Sequence, residues 1–121
     1  MPVKKAAKPL IDPLFKAALQ QAGLPLPKPE YRFHPERKWR GDYAWPDAMH
    51  GPFGDMVEFP LALEVQGGIW SRGRHATGAG IKGDMEKFSE GAALGWRLLL
   101  VEPKDLCSPN TMDLIRRALN V

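Results

Sequence analysis

The chain has 121 residues, 17 Lys and Arg against 14 Asp and Glu, 44% hydrophobic residues and a single cysteine, Cys107. A chain of this length buries roughly 65% of its unfolded surface in one core, which leaves no material for a second domain, and one cysteine excludes an internal disulfide and every Cys-rich zinc module. No apolar run approaches the roughly 20 residues that span a bilayer, and Met-Pro-Val-Lys-Lys lacks the apolar stretch of a signal peptide, so a cytoplasmic protein with no membrane partner is expected.

Residues 1–11 carry Lys4, Lys5 and Lys8 with no acidic side chain, and read as a basic arm ahead of one domain over 12–121. Asp12 followed by Pro13 has the chemistry of a helix N-cap with proline at the first helical position. Leu14, Phe15, Ala18, Leu19 and Ala22 then recur at helical spacing until Gly23. Residues 24–29, with prolines at alternate positions, predict a stiff extended connector. Strands are expected over 31–34 and 38–45, with a tight turn at Pro35-Glu36-Arg37 between them. In the second strand Trp39, Gly41, Tyr43 and Trp45 alternate with Lys38, Arg40, Asp42 and Ala44. Residues 46–60 are turn-rich and lead to a short apolar strand over 61–65. Residues 67–83 hold six glycines and no acid, and predict a basic loop. A helix from Ile81 or Asp84 to Leu94 closes at Gly95, residues 97–101 read as a strand buried on both faces, and Asn110 or Thr111 caps a last helix with Met112, Ile115 and Leu119 on one side. The fold class is therefore α/β, in the order helix, three strands, helix, strand, helix. The first three strands form an antiparallel meander, and a right-handed crossover sets the fourth parallel to the third in a mixed sheet flanked by helices.

Two consecutive strands each carry one acidic side chain: Asp42, and Glu64 within Leu-Ala-Leu-Glu-Val. A carboxylate inside a strand costs several kcal/mol unless something pairs with it. A divalent cation would pair with both, since two carboxylates, a backbone carbonyl and waters form the ligand set Mg²⁺ prefers. The competing reading is a salt bridge to Arg40 or Arg97. Glu30 is a third candidate carboxylate, or else a solvated residue at a loop edge. Gln66, two residues beyond Glu64, shares its face and can orient a water or a phosphate oxygen without supplying charge. Trp39, Trp45 and Trp96 read as core, whereas Trp70 in the glycine-rich stretch is a candidate for base stacking. With no Gly-x-Ser-x-Gly elbow and no Gly-Lys-Ser/Thr phosphate loop, acyl transfer and nucleotide hydrolysis find no support.

Asp42 followed by Glu64-Val65-Gln66, in this frame of helices and strands, resembles the PD-(D/E)XK nuclease superfamily over residues 12–120. The strings Glu30-Tyr31-Arg32-Phe33, Arg37-Lys38-Trp39-Arg40-Gly41-Asp42-Tyr43-Ala44-Trp45-Pro46 and Glu64-Val65-Gln66-Gly67-Gly68-Ile69-Trp70-Ser71 are similar to small phage-type endonucleases, and residues 73–80, 84–87 and 95–97 continue the likeness. Size and layout also resemble archaeal-type Holliday junction resolvases. The resemblance implies a restriction-endonuclease-like core and Mg²⁺, with Mn²⁺ as a substitute, held at Asp42, Glu64 and Gln66. Gln66 stands where the superfamily carries a lysine and lacks its charge, so Lys87 or Lys82 is expected to supply it. Glu30 is the replacement for a glutamate that resolvases carry ahead of the motif aspartate. Arg37, Lys38, Arg40, Arg72, Arg74, His75 and Lys82 are expected to meet backbone phosphates. The expected function is hydrolysis of DNA phosphodiesters by a structure-specific endonuclease. A Holliday junction resolvase comes first, working as a homodimer on branched or four-way DNA. A nicking or mismatch endonuclease, and a DNA-binding module without catalysis, are the alternatives. The turn-rich residues Met56, Val57 and Phe59 and the apolar face of the last helix are candidate dimer surfaces.

Overall fold

The computed structural model describes residues 9–50, 56–66 and 78–121. Most of the basic arm, the tip of the turn-rich segment and most of the glycine-rich stretch therefore lie outside the described residues. The first helix, α1 (Pro13–Gln21), begins as the sequence predicts: the Asp12 carboxylate accepts from Leu14 N at 2.9 Å and Phe15 N at 3.1 Å. These are two of the donors that a helix start leaves without partners. Gly23, at φ +71°, releases the chain from the helix in the left-handed conformation that glycine tolerates best.

Strands β1 (Lys28–Arg32), β2 (Arg40–Trp45), β5 (Leu61–Val65) and β6 (Arg97–Val101) form one mixed sheet in the order β1-β2-β5-β6, and β3 (Met49–His50) and β4 (Val57–Glu58) form a separate two-stranded ribbon. The meander is antiparallel, β1 to β2 and β2 to β5, while β6 runs parallel to β5 beyond the intervening helix α2 (Gly78–Ala93). A short 3₁₀ turn at Pro103–Asp105 leads into the last helix, α3 (Pro109–Leu119). Alternation along β2 and β5 sends Tyr43, Trp45, Leu61 and Leu63 to one face. There they pack on Phe15 and Leu19 of α1 and on Met112, Ile115 and Leu119 of α3. Both polar tips in this core have partners, since Asp12 N donates to the Tyr43 hydroxyl at 3.1 Å and the Trp45 indole donates to the Pro25 carbonyl at 2.9 Å. On the opposite face Ala62 and Leu98 line a small cavity with Phe88, Gly91 and Ala92 of α2, closed at its rim by Phe33 and Trp96.

Several boundaries differ from the sequence reading. The first strand covers 28–32 instead of 31–34: Pro29 is admitted because β1 is an edge strand, where a missing N–H breaks no central ladder. The second strand starts at Arg40, not Lys38, and the turn-rich segment contains the ribbon β3–β4, too short to leave a periodic signal. Helix α2 begins at Gly78, inside the glycine-rich stretch. Strand β6 is not buried on both faces but is an edge, with Leu100 50% exposed. The cap of α3 is Ser108, earlier than Asn110 or Thr111: its hydroxyl accepts from Thr111 N at 3.2 Å, with Pro109 in the first turn. The apolar face of α3 belongs to the core and offers no surface for a second copy.

Candidate active site

The site forms where β2 and β5 part. Their pairing ends at Tyr43 opposite Leu63, and one step further sets Asp42 opposite Glu64. Across the other edge of β2, Pro29 faces Tyr43 and Tyr31 faces Gly41, so Glu30 is opposite Asp42. Three strands thus bring Glu30, Asp42 and Glu64 into one row. Asp42 bridges the parting strands, its Oδ2 accepting from Val65 N at 2.7 Å.

Glu64 is 4% exposed, and Lys87 of α2 reaches it with Nζ 2.8 Å from Oε1. Burial pushes the Glu64 carboxyl up to about 7; Lys87 pulls it down through a hydrogen bond and its charge, and the charge and hydrogen bond of Asp42 push it up again. Two carboxyls in hydrogen-bond contact hold either a shared proton or a cation between them. Gln66 continues the ladder past β5, its N–H donating to the Val101 carbonyl at 2.7 Å, and its side-chain Oε1 is buried without a hydrogen-bond partner among the described residues. A buried Glu64 in contact with half-buried Asp42, with an unpartnered amide oxygen two residues further along the same chain at Gln66, is a donor set that fits a hard divalent cation such as Mg²⁺.

Comparison with family models, with curated proteins and with solved structures returns no match.

The salt-bridge alternative is resolved in favour of Lys87. Arg97 spends its guanidinium on the carbonyls of Ala118 at 2.7 Å and Phe59 at 2.8 Å, stacked on the Phe59 ring, and does not reach Glu64. Glu30 lines an open pocket with Asp42, Tyr43 and Val65, but it is exposed and held at φ +49°, so its side chain leaves the strand pattern. Among the described residues no group of three His, Cys, Asp or Glu side chains could hold a metal ion, so the site rests on two carboxylates. Of the expected DNA contacts, Arg37, Lys38, Arg40 and Lys82 are exposed, whereas Arg72, Arg74 and His75, and with them Trp70, lie outside the described residues. Trp45 is core and Trp96 packs on Tyr31 and Phe33. Trp39 is not core. It stands half-buried on the β1–β2 connection under the Arg37 guanidinium, 4.1 Å from its ring centre. β2 begins at Arg40 and so leaves Trp39 on the connection, and no local signal in the sequence distinguishes it from a strand residue.

Proposed function

We propose that the protein is a divalent-metal-dependent DNA endonuclease with a PD-(D/E)XK-type core, structure-specific, with four-way junctions as its first substrate and a homodimer as its working form. One observation carries this reading: a lysine from α2 is bonded to buried Glu64, which is in contact with half-buried Asp42, two residues before the strand position where Gln66 replaces the lysine of the resemblance. A bound divalent cation supplies charge for the phosphodiester and a lowered pKa for the attacking water.

The chain's own groups do the rest. Asp42 and Glu64 hold the cation, and the Asp42 bond to Val65 N fixes the strand ends that carry them. Lys87, 2.8 Å from Glu64, is the cationic group that would stabilise the charge developing on the phosphoryl oxygens. Gln66 Oε1 accepts from the nucleophilic water and orients it. Water adds to phosphorus, the bond to one sugar oxygen breaks, and the proton goes to that oxygen. The test is incubation with a four-way junction and with matched linear duplex, in chelator, Mg²⁺ or Mn²⁺. Cutting of the junction in either metal and none in chelator is expected; absence of cutting on both DNAs in both metals overturns the reading.

A second reading, a DNA-binding module without catalysis, is favoured by one observation: Lys87 already neutralises Glu64 with no metal needed. Glu64→Gln separates the two, because it abolishes cutting by an enzyme and leaves a binding module unaffected.

A further inference from the structure

The β1–β2 connection is tied down more firmly than a surface turn needs. His34 Nδ1 accepts the backbone N–H of Glu36 at 3.1 Å and of Arg37 at 2.8 Å, and Arg32 donates from Nε to the Arg37 carbonyl at 3.2 Å. With Nδ1 an acceptor, neutral His34 carries its proton on Nε2, which faces Glu90 Oε2 of α2 at 3.5 Å. The turn is thus fixed at its base and anchored to the helix. On this support the Arg37 guanidinium sits over the Trp39 ring, 4.1 Å from its centre, and His34 meets the same ring edge-on, centroids 5.4 Å apart.

Trp39 and Arg37 form one wall of an open groove whose other wall is α2, with Lys82, Met85 and Glu86. Met85 is 63% exposed there, an apolar side chain left in water. Phosphate alone is a poor occupant, because Glu86 and Glu90 repel it. A flat ring with N–H groups on its edge and a phosphate behind it matches every wall. Aromatic and guanidinium planes stack bases, a thioether packs against a ring, a carboxylate accepts from base amino and imino groups, and an ammonium meets the phosphate.

We propose that this groove holds one unpaired nucleobase of the DNA strand being cut, so the substrate class is DNA with an unpaired base a few nucleotides from the scissile phosphate; the last clause rests on the endonuclease reading. Lys87 faces the sheet and Glu64, whereas residues 82, 85 and 86 occupy the opposite side of the same turns of α2. Groove and carboxylate pair are therefore about one helix diameter apart, roughly 10 Å, which three stacked nucleotide steps of about 3.4 Å span. A paired base cannot reach the groove without leaving the duplex, which costs energy that an already unpaired base does not spend. Discrimination between branched or gapped DNA and continuous duplex follows from that difference.

The experiment measures affinity of the full chain, in chelator, for a continuous duplex and for the same duplex carrying a short single-stranded gap. Wild type is expected to favour the gapped DNA by about tenfold, the contribution of one stacked base. Trp39→Ala should remove that preference and leave duplex affinity within about twofold, Trp39→Phe should restore most of it, and Met85→Glu, at an exposed position that does not bear on folding, should remove it independently. Equal affinity of wild type for both DNAs, or a preference retained in both Trp39→Ala and Met85→Glu, overturns the proposal. Cutting assays in Mg²⁺ on the same DNAs keep the two readings apart. Metal-dependent cutting without a Trp39-dependent preference sinks the base site alone, whereas a Trp39-dependent preference in a protein that cuts neither DNA sinks the endonuclease and leaves the base site standing.

Discussion

Glu64 combines three conditions that rarely meet in one side chain: it is buried, it touches a second carboxyl and it is bonded to an ammonium. Its carboxyl titrates near 7 in the folded chain and near 4.5 in the unfolded one, so between those values the folded state binds the extra proton. Stability of the metal-free protein must then fall as pH rises from about 5 to about 8, by an amount on the order of a few kcal/mol. Glu64→Gln, neutral throughout, is expected to flatten that slope in denaturant titrations at several pH values and to be more stable than wild type at pH 8; an unchanged slope would show that Glu64 stays ionised in the fold. Catalytic loss separates the neighbouring groups. Lys87→Ala should lower the cutting rate on the order of 100-fold, the size of one lost transition-state donor, and Gln66→Ala should lower it less. Asp42→Asn should abolish cutting and preserve DNA binding, since it removes a ligand and also a repulsion toward phosphate. Single-turnover rates on one DNA, with binding measured alongside, decide among these.

At the scale of elements, what the sequence makes legible is what a single local signal specifies. Asp12-Pro13 with apolar residues at helical spacing places α1, the run Leu-Ala-Leu-Glu-Val places β5, and an acid within each of β2 and β5 points to the Asp42–Glu64 pair before any geometry is known. The helix that delivers Lys87 is legible too, although its start inside a glycine-rich stretch is not, because glycine lowers helix propensity and only packing against the sheet overrides it. Other features depend on partners distant in sequence. Pro29 reads as a strand breaker until β1 is known to be an edge, and the left-handed backbone of Glu30, opposite Asp42, leaves no mark on a chain where glutamate ordinarily sits at negative φ. Trp39 alternates correctly for a core strand, yet that strand begins only at Arg40, one residue after it. The α3 cap yields a stability prediction at this scale. Ser108→Ala removes an acceptor from Thr111 N and should cost about 1 kcal/mol, with Ser108→Asn near neutral. The Ser108 hydroxyl also donates to Thr111 Oγ1 at 3.1 Å, so the difference in urea midpoint between the variants reports the cap together with that side-chain bond.

For the whole molecule, the proposed junction-cutting function raises the question of how a chain with one such carboxylate pair among the described residues would make two opposed cuts. Two copies about a two-fold axis are the simplest supply. The described surface limits where they could meet: α3 has its apolar face in the core, so of the two surfaces the sequence offers, only the neighbourhood of Met56 and Val57 is left, each about half exposed. Met56 lies in an open groove with Leu26, Met49 and Val121, all of them exposed apolar side chains from separate elements. This contiguous group, drawn from four separate segments of the chain, is the surface a symmetric contact would use. Sedimentation at micromolar concentration is expected to give twice the 13.5 kDa of one chain. Met49→Lys with Met56→Lys, both exposed and so harmless to folding, should return the monomer mass. The functional consequence is specific: the double variant keeps the first cut, made by one intact site, and loses the second, so nicked junctions accumulate where wild type yields paired products. A wild-type chain that sediments as a monomer both free and on junction DNA would remove the dimer and make a nicking endonuclease the better reading of the same site.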